Sequence, residues 1–182
     1  MSQQHATNLE AAGPIRGAIV LEPDDAVRAT TVLPLARNAL ALAVLLVLIG
    51  VWTLIDESTD GTGDRAGWLT AAFPLLMGFS VAAIFLWFPR KGVLALSDDQ
   101  RVIEFSVQAD VVDMADPQGN LNRLSLSSVQ TAIFSSEVIV LQAESSTLFP
   151  VYLRSFDPGD RVEATRRIES GIPANAKIIR RS

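Results

Sequence analysis

Hydrophobic and polar positions change their pattern after residue 90. Before it lie two uninterrupted apolar stretches, 39–55 and 66–88, which contain no charged side chain. A helix rises about 1.5 Å per residue, so roughly 20 residues cross the hydrocarbon layer of a bilayer. The second stretch has this length alone, and the first reaches it if residues 35–37 extend it. The pattern predicts a transmembrane helical hairpin over residues 38–90.

Basic residues flank the hairpin on its two outer sides, and the linker between the stretches, 56–65, is acidic with Arg65 as its one basic residue. The flanking set is Arg28, Arg37, Arg90, Lys91 and Arg101. Lys and Arg concentrate in the cytoplasmic segments of membrane proteins. We therefore expect both termini in the cytoplasm, the loop 56–65 outside, and a bacterial cytoplasmic membrane as the location.

Small side chains recur along one stripe of each apolar stretch. Such stripes let two helix backbones approach closely within lipid, where the hydrophobic effect does not drive helices together. The predicted hairpin-packing residues are Ala39, Ala43, Gly50, Ala71, Gly78 and Ala82.

After residue 91 apolar and polar residues alternate with period two, which predicts half-buried strands. Turn residues such as the Ser pairs separate short apolar runs, so consecutive strands are expected to form antiparallel hairpins. The predicted strands are 92–97, 103–111, 121–126, 129–134, 138–143 and 147–153. Without intervening helices they indicate one antiparallel barrel or strongly bent sheet.

A helix follows the strands. Asp157 suits the N-cap, Pro158 the first helical position and Gly171 the stop. An apolar stripe is predicted to plug one end of the sheet, and it comprises Val162, Thr165, Ile168 and Ile172. An antiparallel sheet capped by a C-terminal helix is the architecture of pleckstrin-homology (PH) domains.

Two segments carry a resemblance to a known family: 20–25 (VLEPDD) and 148–156 (LFPVYLRSF). With the hairpin between them, the chain resembles bacterial PH-like membrane proteins of the YcxB-like kind. The resemblance implies a two-helix anchor followed by a small cytoplasmic sheet domain. The expected organisation is a polar flexible leader (1–20), a juxtamembrane segment (21–37) with a short interfacial helix, the hairpin (38–90), a PH-like domain (91–172) and a basic tail (173–182).

Catalytic chemistry has no visible basis in the sequence. The chain has no cysteine and one histidine, His5, and it contains neither a Walker-type loop nor GxGxxG. Five acidic residues are close in sequence: Asp98, Asp99, Asp110, Asp113 and Asp116. They favour a solvated strand face, and weak divalent-cation binding is the alternative. We expect no catalytic residue, cofactor or metal, and therefore no enzyme.

Cations gather at the C-terminal end although the net charge is −5. The candidate lipid or partner contacts are Arg154, Arg161, Arg166, Arg167, Lys177, Arg180 and Arg181. The alternative is an ordinary solvated helix whose arginines pair internally with Glu163 and Glu169. The leading hypothesis is a membrane-anchored scaffold that binds another membrane or membrane-associated protein. The alternatives are an accessory or assembly subunit of a larger membrane complex and a module that binds anionic lipid. Nucleic acid is not expected as a partner.

Overall fold

A computed structural model describes residues 13–59, 65–116, 118–143 and 147–181. Its helices are α1 (Pro23–Thr31), α2 (Pro34–Thr59), α3 (Arg65–Ala82), α4 (Phe88–Leu94) and α5 (Pro158–Gly171), with a π-helical turn, Ala83–Trp87, between α3 and α4. Its strands are β1 (Ile15–Val20), β2 (Val102–Val107), β3 (Val111–Ala115), β4 (Leu121–Ser125), β5 (Val129–Phe134), β6 (Val138–Ala143), β7 (Leu148–Tyr152) and β8 (Lys177–Arg180).

Two helical segments, Pro34–Thr59 and Trp68–Leu94, are long and apolar enough to cross a membrane. The first begins at Pro34, so residues 35–37 extend it as predicted. Helix α3 continues through Pro74. The two helices pack against each other as a hairpin, and most of their large apolar side chains point away from the protein.

The π-helical turn has a local cause. Pro89 has no N–H, and in an α-helix its ring would collide with the carbonyl group four residues earlier, at Phe85. A wider turn relieves this contact. The N–H of Phe88 accordingly donates to the carbonyl of Ala83, five residues back. The second long helix therefore changes its winding at its end near Trp87.

The strands form two four-stranded sheets. The first has the order β1-β2-β3-β4 and is antiparallel throughout. The second has the order β7-β6-β5-β8, in which β8 runs parallel to β5 and the other pairs are antiparallel. A single apolar core joins both sheets and α5, and its largest fully buried side chains include Phe105, Phe156, Leu126 and Ile139.

The hairpin is an insertion within the first sheet. Strand β1 precedes it and β2 follows it, yet the two strands pair along their whole length, from Ile15 opposite Val107 to Val20 opposite Val102. The N–H of Leu21 also donates to the carbonyl of Arg101 at 2.8 Å. Both ends of the hairpin are thus fixed to neighbouring strands of one sheet.

Four sequence-based predictions about the boundaries are wrong. The predicted flexible leader ends in β1, because its apolar residues at 15 and 19 enter the core. The predicted strand 92–97 is instead the end of α4 and a turn, since the second long helix continues past residue 90. The predicted strand 103–111 is two strands, β2 and the start of β3, joined by a tight turn. The predicted basic tail contains β8.

Helix α5 begins and ends where the sequence predicted, with Asp157 at its N-cap. Its buried face differs from the predicted stripe. Ile168 and Ile172 are buried, but Val162 is 76% exposed, and the helix also buries Ala164 and Arg167. The stripe was misassigned because Arg167 is paired within the protein and lies on the inner face.

Helix α1 was predicted to lie in the membrane interface. In the structure its C-terminal end and the residues that follow pack against the sheet core, through Ala29, Val32 and Leu33. This face of α1 therefore packs on protein, and the position of the helix relative to a membrane remains a prediction. Helix α1 is therefore the connector between the sheets and the hairpin.

Candidate functional site at the junction of hairpin and sheets

The start of α1 is built by reciprocal hydrogen bonds. Glu22 is the N-cap, Pro23 occupies the first turn, and the N–H of Glu22 donates to Asp25 Oδ2 at 2.7 Å, in a capping box. Asp25 is 2% exposed although it is a carboxylate. A buried carboxylate requires a partner, since removing a charge from water is costly.

Arg154 is that partner. It lies in the 3₁₀ turn Leu153–Ser155 that follows β7, and its guanidinium donates to Asp25 Oδ2, to Glu22 Oε1 at 3.2 Å and to the carbonyl of Val20 at 3.1 Å. The two segments that carry the family resemblance, 20–25 and 148–156, therefore meet at one cation. Arg154 ties the entrance of the hairpin to the second sheet.

Two further ion pairs hold α1 on its other sides. Asp24 accepts from Arg90 of α4 at 2.8 Å, and Arg28 pairs with Glu137 of the β5–β6 turn at 3.0 Å. Each of these side chains is about half exposed, so each pair contributes little by itself. Their value is positional, because they join α1 to the end of the hairpin and to the second sheet.

Tyr152 lies beside this network. Its ring contacts Phe105 edge to face, with centroids 6.2 Å apart. Burial, with the nearby charge of Asp25, raises the pKa of the Tyr152 phenol to about 12. The phenol is therefore neutral at physiological pH and has no role as a base there.

A groove of about 430 Å³ opens between α1, the first turn of α2 and the β5–β6 turn. We call it the interfacial groove. Its polar lining consists of Arg28, Thr31, Arg37, Ser135, Ser136, Glu137 and Arg181. A smaller cavity of about 170 Å³ adjoins it beyond the Arg28–Glu137 pair, and Arg154 and Arg161 line that cavity.

The predicted basic contact set is mostly engaged inside the protein. Arg166 pairs with Glu163 at 2.7 Å, Arg167 with Glu163 at 2.9 Å, and Arg180 with Glu169. The hydrogen bonds from Arg166 and Arg167 lower the pKa of Glu163 to about 2. Of the set, Arg181 lines the interfacial groove and Arg161 lines the adjoining cavity.

Arg167 is 5% exposed, and it donates to the carbonyl of Gly13 at 2.8 Å. It thereby holds the segment before β1. Arg161 Nε donates to the carbonyl of Phe156, and Lys177 lies exposed at the start of β8. On helix α5, Arg166 and Arg167 thus follow the alternative of internal pairing with Glu163.

The predicted small stripes of the hairpin lie between its helices. Ala43, Gly50, Ala71 and Gly78 are buried, whereas Ala39 and Ala82 are half-buried. A Cβ atom at residue 78 would lie 2.8 Å from the carbonyl oxygen of Ala43, and one at residue 50 would lie 3.1 Å from that of Ala71. The two backbones thus approach closely at both levels.

The outer face of the first sheet carries a polar row that the sequence did not reveal. Arg16, Ser106, Asp113 and Arg123 are successive cross-strand neighbours. Arg123 donates two hydrogen bonds to Asp113, at 2.7 and 3.1 Å, and covers this carboxylate. Asp113 and Arg16 line a concavity of about 680 Å³ that extends to Leu121. The sequence did contain one signal for this pair, because Asp113 and Arg123 carry opposite charges on the two sides of the β3–β4 turn.

The acidic residues do not converge. Within the described ranges, no group of three or more His, Cys, Asp or Glu side chains is placed to hold a metal ion. Asp113 is paired with Arg123, and Asp116 closes the β3–β4 turn by accepting from Asn120. That hydrogen bond from the Asn120 side chain lowers the pKa of Asp116. His5 lies outside the described residues.

Comparisons with protein-family models, with curated proteins and with solved structures found no match to this chain.

Proposed function

We propose that this chain is a non-enzymatic membrane-anchored scaffold that holds a PH-like domain at the cytoplasmic face of a bacterial membrane. The support for anchoring is the outer surface of the long helices. Leu45, Leu48, Phe73 and Phe79 are each more than half exposed. Leaving such side chains in water costs about 25 cal/mol per Å², which a lipid environment removes.

One observation carries the scaffold proposal: the hairpin is inserted between paired strands β1 and β2. Because these strands are adjacent, both ends of the hairpin must return to the same side of a membrane. The basic residues at those ends, such as Arg37 and Lys91, favour the cytoplasmic side.

The anchor also fixes the orientation of the domain. Helix α1 is bound to the sheets through Asp25 and to the end of the hairpin through Asp24. A rigid connection of this kind suits a protein that presents a surface at a set height above the bilayer, more than a domain on a flexible tether.

Strand β4 is the proposed partner-binding edge. The other sheet edges are protected: Gly17 of β1 lies against Ser155, Pro150 removes a donor from β7, and β8 begins with Lys177 and ends with Arg180. Strand β4 pairs with β3 on one side, and its Leu121 is 54% exposed. An extended segment of another protein would add to this edge as a further strand.

Photo-crosslinking in native membranes tests the scaffold. A photoreactive amino acid replaces Asn122 on β4 in the full-length chain, and a matched chain carries it at the exposed Val162 of α5. We expect a discrete protein adduct from position 122 that position 162 does not give. Adducts to lipid alone, or identical adducts from both positions, would contradict the proposal.

A second candidate, an accessory subunit of a larger membrane complex, is favoured by one observation. An apolar cleft of about 410 Å³ runs along the hairpin over Gly78, between Val44 and Phe79. Its width would let a helix of another subunit approach the hairpin closely. The same photoreactive residue at position 44 tests this. A membrane-protein adduct there supports a subunit role, and lipid adducts only would contradict it.

A further inference from the structure

We infer that the interfacial groove binds the phosphate group of an anionic phospholipid. The inference rests on the proposed membrane anchoring, and it assigns the lipid contact to Arg28, Arg37 and Arg181 in place of the basic helix α5. No residue of the predicted contact set except Arg181 belongs to this groove.

Charge is the first reason. Three arginines and one carboxylate, Glu137, line the groove, so its lining has a formal excess of positive charge. Glu137 pairs with Arg28. Within the described residues neither Arg37 nor Arg181 has an acidic side chain at ion-pair distance. An anion in the groove would therefore find two guanidinium groups that are not already neutralised.

An unsatisfied donor is the second reason. Arg181 Nε is buried, and among the residues that the structure describes it has no hydrogen-bond acceptor. Leaving a buried charged donor unpaired is costly, so such a group signals a missing acceptor. The backbone of Arg181 is held in place, because its N–H donates to the carbonyl of Phe134 at 2.8 Å beside the β5–β8 pairing. The guanidinium is thus held in position for an acceptor that the described part of the chain does not supply.

Phosphate geometry fits these donors. A guanidinium donates two parallel hydrogen bonds to a phosphate, and phosphate oxygens accept from several directions at once. Ser136 adds an exposed hydroxyl at the same groove. The donors come from helix α1, from helix α2 and from the residue that follows strand β8. A bound phosphate would therefore also hold α1 against the second sheet.

The position of the groove identifies the source as lipid. Arg37 belongs to the first turns of α2, where the long apolar helix begins. At the corresponding end of the other long helix, Lys91 Nζ lies 4.5 Å from the ring centre of Trp87. Trp and Lys side chains at a helix end mark the headgroup level. The groove therefore opens at the depth where phospholipid phosphates lie.

Lipid retention by the full-length chain tests the inference. The chain is placed in nanodiscs that contain both phosphatidylcholine and phosphatidylglycerol, and bound lipid is measured by native mass spectrometry. The test variant is Arg37→Gln with Arg181→Gln. The control, Arg166→Gln with Arg180→Gln, removes equal charge from paired arginines.

We expect preferential retention of phosphatidylglycerol, and a loss of about fivefold for each groove arginine, since a near-surface cation contributes roughly 1 kcal/mol. The control should retain the wild-type value. Equal losses in both variants, or retention that ignores the lipid headgroup, would overturn the inference.

Two additional arms separate the possible explanations. Competition with millimolar inorganic phosphate should leave lipid retention largely intact, and a groove that binds inorganic phosphate but not phosphatidylglycerol would contradict a lipid site. Carbonate extraction of both variants from membranes tests anchoring independently. A chain that stays in the membrane without lipid preference refutes only the groove, whereas a chain that is extracted refutes the proposed function.

Discussion

The guanidinium of Arg154 lies on the buried carboxylate of Asp25, which is 129 residues earlier in the chain. Between the two residues lie the whole hairpin and most of both sheets. This contact therefore reports whether the connector helix α1 is seated on the sheet domain. The contact thus connects the start of α1, and with it the hairpin, to the sheets.

Replacing Arg154 by Ala should destabilise the sheet domain by about 2 kcal/mol, because Asp25 then remains buried without its counter-charge. The control, Arg166→Ala, breaks an exposed pair and should cost less than about 1 kcal/mol. Thermal unfolding of the purified chain in detergent measures both. An equal fall of the unfolding temperature in the two variants would show that the Arg154–Asp25 pair stabilises the protein no more than an exposed ion pair does.

Gly78→Ala should weaken the hairpin, since the added Cβ would lie 2.8 Å from the Ala43 carbonyl oxygen. Overpacking of this kind costs about 1–3 kcal/mol. Gly92→Ala is the matched control, because a Cβ there meets no atom within 4 Å and a helix gains up to about 1 kcal/mol from this change. Resistance of the two variants to limited proteolysis in nanodiscs compares them. Equal protection would mean that the helices do not pack as described.

Acid should weaken helix α5 through Glu163, whose partners Arg166 and Arg167 lie on the same helix. Its pKa of about 2 in the folded chain lies below the ordinary value of 4.5, so the stabilisation is complete above pH 4.5 and is lost as the pH falls toward 2. Glu163→Gln should remove this pH dependence, whereas Val162→Ala on the same helix should keep it. Unfolding midpoints at pH 6, 4 and 3 provide the measurement. Parallel curves for the two variants would contradict the assignment.

Elements with a strong local pattern were predictable from sequence. Strands β5 and β6 have the predicted limits, because serine-rich turns bound each of these largely apolar segments. Helix α5 has its predicted ends, since Asp157, Pro158 and Gly171 act locally. The two long helices were predictable because each apolar stretch is long and contains no charged residue.

Long-range pairing was not predictable in the same way. Strand β1 has no partner near it in sequence, because its neighbour β2 follows the hairpin. Strand β8 pairs in parallel with β5, although helix α5 lies between them in sequence. Because β8 begins and ends with basic residues, the sequence was interpreted as a basic tail. The pairs of Arg166 and Arg167 with Glu163 were one of two alternatives from the sequence, because spacings of three and four residues bring side chains together on a helix. Glu169 pairs instead with Arg180 of β8, which only the fold brings near it.

The central claim is that a membrane-spanning hairpin interrupts a single sheet and leaves both sheets on the cytoplasmic side. Because the chain has no cysteine, single-cysteine variants give an unambiguous test. Thr59→Cys marks the end of α2 that faces the loop, and Gln130→Cys marks an exposed position of strand β5. In intact cells an impermeant maleimide should label position 59, and it should label position 130 only after the membrane is opened. Labelling of both positions in intact cells, or of position 130 alone, would contradict the account.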